Sequence, residues 1–78
     1  MQTLNRPSPL APDVWMNDIF KSKAAISGGV IRRSARDVER YVGRSAFAQE
    51  LDRRGFQAIE NGGQIVIFCN REPIRRLK

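Results

Sequence analysis

The sequence contains no histidine and a single cysteine, Cys69. Without histidine there is no imidazole for general acid–base catalysis and no Ser-His or Cys-His nucleophile pair. A single cysteine cannot form an internal disulfide, and a zinc site without histidine has almost no ligands. These absences predict a protein that is not an enzyme and that holds no metal.

Long apolar runs and phosphate-binding loops are also missing. The longest apolar run, Ile65 to Cys69, is far shorter than the roughly 20 residues that span a bilayer. Gly28-Gly29 and Gly62-Gly63 match no nucleotide-binding glycine motif. The first residues lack the pattern of a signal peptide, and a lone cysteine suits a reducing compartment. We expect a cytoplasmic protein with no cofactor and no membrane partner.

Positive charge is what the sequence has in excess. Eleven arginines and three lysines face eight acidic residues, which gives a net charge of +6 and a pI near 10.8. Such a balance is typical of nucleic-acid-binding domains, and the planar fork of arginine matches phosphates and guanine edges. The alternative interpretation is that the charge serves only solubility.

The length limits the chain to one small domain. At 78 residues, a single core supplies only ~3–5 kcal/mol, so we expect good packing or a homodimer. Residues 1–12 contain three of the four prolines and predict a flexible tail. Residues 13–70 predict one α+β domain, and residues 71–78 a basic C-terminal segment.

The first predicted helix runs from Val14 to about Lys21, with Asp13 as its cap. Its apolar residues have two interpretations. They cover the core, or they form an exposed anchor for a protein partner or a second subunit, since tryptophan is enriched at such sites. The four residues concerned are Trp15, Met16, Ile19 and Phe20.

Two short helices follow a break at residues 27–29 and a short strand at Val30-Ile31. Ser34 is predicted to cap the first helix, over residues 35–42, and Ser45 the second, over residues 46–54. Phe47, Ala48 and Leu51 are predicted to be buried. Residues 56–60 then alternate as a half-buried strand does, and Asn61-Gly62 predicts a two-residue type I′ turn. Residues 64–69 predict a strand covered on both faces.

An arginine stripe, defined as Arg33, Arg36, Arg40 and Arg44, recurs at spacings of three and four residues. It fits a row of phosphate contacts or a solvated helix face. Arg53 and Arg54 would extend the basic surface, although the helix dipole alone favours them in a last turn. Four acid–arginine pairs have ion-pair spacing: Arg33–Asp37, Arg36–Glu39, Asp37–Arg40 and Glu50–Arg54.

The stretch SARDVERYVGRSAFAQELDRRGFQAIENGGQIVI resembles the DNA-binding unit of excisionase and MerR-type winged helix-turn-helix proteins. Ser34, Gly43, Arg54-Gly55 and the hairpin around Asn61-Gly62 occupy places in that pattern. The stretch departs from it by carrying Arg44 after the turn glycine and by a shorter gap to Gly55. The resemblance implies a winged-helix fold. It also implies that Arg44, Ser45 and Gln49 face the major groove while the hairpin contacts the DNA backbone.

The whole chain also resembles small alphaproteobacterial proteins, some of which carry the name phosphoribosylanthranilate isomerase. That enzyme is a (β/α)₈ barrel of about 200 residues or more, which this chain is too short to build. The leading hypothesis is therefore a DNA-binding regulator or excisionase-like factor. The alternative is an adaptor module anchored by the Trp15–Phe20 helix. RNA binding is less favoured, because Phe56 and Phe68, the aromatic residues on predicted strands, fit a core.

Overall fold

The computed structural model describes residues 11–78. It confirms an α+β fold in which helices precede a C-terminal hairpin. The predicted tail lies, up to residue 10, outside the described residues. The elements are α1 (Pro12–Phe20), α2 (Lys23–Ile26), β1 (Val30–Ser34), α3 (Ala35–Tyr41), α4 (Arg44–Arg54), β2 (Gln57–Asn61) and β3 (Gln64–Phe68).

Helix α1 begins two residues earlier than expected. Pro12 is the first residue of the helix. Proline has no backbone N–H, but at this position an N–H would have no acceptor within the helix, so no hydrogen bond is lost. Asp13 is therefore inside the helix instead of capping it. Helix α2 was not predicted from the sequence; it is a single turn in which Ser22 Oγ accepts a hydrogen bond from the Ala25 amide at 3.3 Å.

Helix α3 begins where the sequence predicts. The Asp37 amide donates to Ser34 Oγ at 3.0 Å, which is the expected cap. The amide of Ala35 donates to the carbonyl oxygen of Gly63 at 2.8 Å. The start of α3 is thereby tied to the loop of the hairpin, although the two are far apart in sequence.

Helix α4 starts two residues before the predicted position. Its N-cap is Gly43, which makes no side-chain capping bond, so the prediction that Ser45 caps the helix is wrong. Phe47 and Leu51 are buried as expected, but Ala48 is exposed. Gly55 ends the helix with a φ of 75°, a left-handed conformation that glycine adopts without steric cost.

The three strands form an antiparallel sheet in the order β1-β3-β2. The hairpin loop consists of Gly62 and Gly63, because Asn61 pairs with Gln64 in the register. Both glycines have positive φ, 56° and 79°, as a type I′ turn requires. The turn is thus displaced by one residue from the predicted Asn61-Gly62 position.

The core lies between one face of the sheet and the helices. Ile65 and Ile67 of β3 are buried there with Val38 of α3. On the opposite face Val66 and Phe68 are only half-buried, and Ile59 of β2 is exposed. The expectation that β3 is covered on both faces is therefore wrong, because helices pack against one face only.

The C-terminal residues 71–78 are exposed and contain no helix or strand. Their beginning is held by Gln57, whose Nε2 donates to the carbonyl oxygens of Asn70 and Glu72 at 3.1 and 2.7 Å. The side chain of Asn70 in turn donates to the carbonyl oxygen of Gly28 at 2.8 Å.

Candidate functional site

Three members of the arginine stripe lie on β1 and α3 without a carboxylate partner within the described part of the chain. Arg33, in β1, is half-buried and donates from Nη1 to the carbonyl oxygen of Arg32 at 2.6 Å. Arg36 and Arg40 are exposed on α3. Because they are four residues apart, their side chains lie on the same side of the helix. Among the described residues, no carboxylate therefore neutralises these three guanidinium groups, although Arg40 also lies 5.7 Å from the ring centroid of Tyr41.

The ion pairs expected along α3 do not form among residues 11–78. Neither Arg33–Asp37 nor Asp37–Arg40 lies within salt-bridge distance, and Arg36 does not pair with Glu39. Glu39 instead accepts a bond from Arg44 of the next helix. The spacing made these pairs available, but it did not determine which partner each carboxylate would take.

Arg44, the fourth member of the stripe, is bound by two carboxylates. Its Nε donates to Glu39 Oε2 at 2.7 Å, while Nη1 and Nη2 donate to the two oxygens of Glu60 at 2.7 and 3.0 Å. The bond from Arg44 holds the pKa of the Glu60 carboxyl below its usual range. All three guanidinium nitrogens are thus paired with carboxylates of the same domain, although the Arg44 side chain is 53% exposed. That Arg44 faces DNA stays a prediction.

Arg53 and Arg54 share one carboxylate, that of Glu50. Arg53 Nε donates to Glu50 Oε1 at 3.1 Å, and Arg54 Nε to Oε2 at 2.6 Å. These bonds, that of Arg53 foremost, lower the pKa of Glu50. The guanidinium of Arg54 also lies 4.5 Å from the ring centroid of Phe20 in α1. Both arginines therefore have structural partners, and Glu50–Arg54 is the one predicted ion pair that forms.

Ser45 and Gln49 lie exposed on α4. Since they are four residues apart, they share one face of the helix, next to the exposed small residues Ala46 and Ala48. Both side chains are open to solvent, and the same side of the helix carries the exposed acid Asp52, three residues after Gln49. Both residues can therefore make contacts with a ligand, although Ser45 does not cap the helix as predicted.

The apolar residues of α1 belong to the core. Trp15, Ile19 and Phe20 are 8, 2 and 5% exposed, and Met16 packs against them. The ring of Trp15 stacks on Tyr41, with centroids 5.5 Å apart. The first interpretation of this helix, a cover for the core, is the one the structure supports. The exposed partner-binding anchor is not found.

An open apolar cleft of about 230 Å³ separates α4 from β2. Val38, Phe47, Leu51 and Ile65 contribute apolar surface to it, and Arg44 and Glu60 are also among the residues that line it. No pattern in the sequence indicates this cleft. Ala48 of α4 and Ala58 of β2, both with small side chains, are among the residues that line it.

Arg32 and Cys69 lie outside the arginine stripe and differ in their exposure. Arg32, which the sequence analysis did not single out, is exposed on the outer face of the sheet opposite Val66. Cys69 is buried, and this burial raises the pKa of its thiol. No group of three metal-binding side chains occurs within residues 11–78.

Among the described residues, no helix has both the length and the apolar character needed to cross a membrane. Comparison with known proteins finds no matching family model, no matching curated protein and no matching solved structure.

Proposed function

We propose that the chain is a small cytoplasmic DNA-binding protein of winged-helix type without enzymatic activity, a transcriptional regulator or an excisionase-like factor. The observation that carries this proposal is the group of arginines on β1 and α3 that have no carboxylate partner in the described chain. They stand beside a pair of helices followed directly by a hairpin.

The order of the elements supports a winged-helix interpretation. Only Val42 and Gly43 separate α3 from α4, and only Gly55 and Phe56 separate α4 from the hairpin. Strand β1, which leads into α3, pairs with the second strand of the hairpin. Helix pair and hairpin are thereby built as one unit, in which α4 would enter the major groove and the hairpin would act as the wing.

The roles of individual residues follow from their exposure and their partners. Arg33, Arg36 and Arg40 would bind phosphates, because their guanidinium groups are not neutralised by acids among the described residues. Ser45 and Gln49 would reach base edges, since a glutamine amide can form two hydrogen bonds to adenine. Phosphate contacts would supply most of the affinity, and the α4 contacts the sequence preference.

The test is binding to a random-sequence DNA duplex, measured by fluorescence anisotropy from 50 to 300 mM salt. If about six phosphates are neutralised, the logarithm of the binding constant should fall with the logarithm of salt at a slope near −5. Micromolar affinity at the lowest salt is the expected result. Absence of binding at 50 mM salt would contradict the proposal and leave the charge as a solubility feature.

A further inference from the structure

We propose that Arg44 positions the hairpin against α4 and does not contact DNA. This inference rests on the proposed function, and it assigns Arg44 a different role from the other members of the arginine stripe. Arg44 would be a positioning residue for the wing, and Glu39 and Glu60 its partners. The cluster of these three residues is called the carboxylate clamp below.

The clamp connects the three parts of the proposed DNA-binding unit. Glu39 lies in α3, Arg44 is the first residue of α4, and Glu60 lies in β2, next to the last residue of that strand. All three nitrogens of the guanidinium donate to carboxylate oxygens, at 2.7 to 3.0 Å. These bonds use three of the five N–H donors of the guanidinium, so a phosphate that took the same N–H groups would have to displace one of the two acids.

Apolar packing leaves the same region incompletely filled. The cleft of about 230 Å³ lies between α4 and β2, so the two elements are not in continuous side-chain contact there. Arg44 and Glu60 stand at this cleft and bridge it. The ion pair therefore adds a direct connection between α4 and β2 to the strand pairing of β2 with β3 and the packing of Ala58 against the core.

An exposed ion pair usually contributes little, because water screens it and two long side chains must be ordered. The exceptions are bidentate arginine–carboxylate pairs and networks of several charges, and the carboxylate clamp is both. We expect its loss to loosen the hairpin without unfolding the domain, because Ile65 and Ile67 on the inner face of β3 remain buried in the core.

The two possible roles of Arg44 give opposite results for Glu60→Gln. If Arg44 positions the wing, this variant binds DNA about 2- to 5-fold more weakly than a control with the same charge change. If Arg44 contacts phosphate, releasing it from Glu60 strengthens binding relative to the control. Glu72→Gln is the control, because Glu72 lies in the exposed C-terminal segment. Equal or tighter binding by Glu60→Gln overturns the inference.

The double variant Arg44→Gln with Glu60→Gln leaves the net charge unchanged and tests the salt dependence. A lost phosphate contact reduces the magnitude of the log–log slope by about 0.9, whereas a lost positioning contact weakens binding at an unchanged slope. Arg36→Gln supplies the comparison for a true phosphate contact. A fall of the slope by about 0.9 in the double variant overturns the inference.

Amide hydrogen exchange without DNA separates this inference from the proposed function. In Glu60→Gln, the amides of β2 and of the loop Gly62-Gly63 should exchange about 2- to 5-fold faster than in Glu72→Gln. The amides of α3 should stay unchanged. Unaltered exchange in the hairpin overturns the positioning role, even if the wild-type protein binds DNA. Absence of DNA binding by the wild type, with faster hairpin exchange, defeats the proposed function alone.

Discussion

The arginines before α4 and those within it differ in what they bind. Arg33, Arg36 and Arg40, on β1 and α3, lack a carboxylate partner in the described chain, whereas all three arginines of α4 are held by Glu39, Glu50 or Glu60. The two regions have similar charge in the sequence. Charge alone therefore does not identify a binding surface. Carboxylates of the same domain pair with the arginines of α4 and do not pair with those of β1 and α3.

The largest effect is expected from the unpaired arginines of α3. Replacing Arg36 and Arg40 together with glutamine should weaken DNA binding at least ~10-fold at low salt, because two charge-assisted phosphate contacts are lost. The log–log salt slope should decrease in magnitude by about 1.8. Fluorescence anisotropy measures both quantities, and circular dichroism checks that the domain remains folded.

The matched control for that variant is Arg75→Gln with Arg76→Gln, which removes the same charge from the exposed C-terminal segment. An equal loss of affinity in both double variants would mean that DNA responds to net charge and not to the α3 surface. Unchanged affinity in the α3 variant would remove Arg36 and Arg40 from the binding surface altogether.

The second prediction concerns the stability of the other region. Arg54→Gln should lower the free energy of unfolding by about 1 kcal/mol, because it removes the contact with the Phe20 ring and an ion pair to a largely buried carboxylate. For a domain of this size that loss lowers Tm by roughly 4–8 °C. Thermal unfolding followed by circular dichroism is the measurement.

Arg53→Gln is the comparison, since Arg53 shares Glu50 but its side chain is 68% exposed against 25% for Arg54. We expect its effect to stay below about 0.5 kcal/mol. If both variants unfold at the same temperature, the aromatic contact of Arg54 contributes nothing measurable. If Arg54→Gln changes the DNA salt slope, the distinction between structural and ligand-binding arginines fails.

Much of the fold could be predicted from the sequence, because helix caps and helix ends depend on residues that are close together in the chain. The serine at position 34 caps α3 within three residues, and Gly55 ends α4 with its own backbone conformation. The exact hairpin loop was not readable. Asn61-Gly62 and Gly62-Gly63 both fit a two-residue turn, and the pairing of β3 with β1 as well as β2 selects between them.

The candidate site was less predictable, because it depends on contacts between distant residues. Arg44 and Glu60 are sixteen positions apart, and no periodicity connects a helix start with a strand end. Trp15 illustrates the same limit, since a helix with one apolar face fits a core or an interface equally well. Its stacking on Tyr41 of α3 decides in favour of the core.

The smallest expected effect is a change of stability with pH. Protonation of Glu50 and Glu60 should weaken the ion pairs of α4 and leave the unpaired arginines unaffected. The folded-state pKa values of Glu50 and Glu60 lie below the usual range, whereas in the unfolded chain each is about 4.3. Both carboxylates therefore stabilise the folded state above about pH 4.3, and this contribution is lost as pH falls through their folded-state values. Arg36 and Arg40 have no such partner within residues 11–78.

Urea unfolding at pH 7, 5 and 3 should reveal this difference when the wild type is compared with Glu50→Gln plus Glu60→Gln. The wild type should be the more stable protein at pH 7, and the gap should narrow as the pH falls to 3, because a protonated glutamate resembles glutamine in charge. Titration of the other acids affects both proteins and cancels in the comparison. A gap that is the same at all three pH values would show that the ion pairs of α4 do not stabilise the domain. The paired and unpaired arginines would then differ in geometry alone.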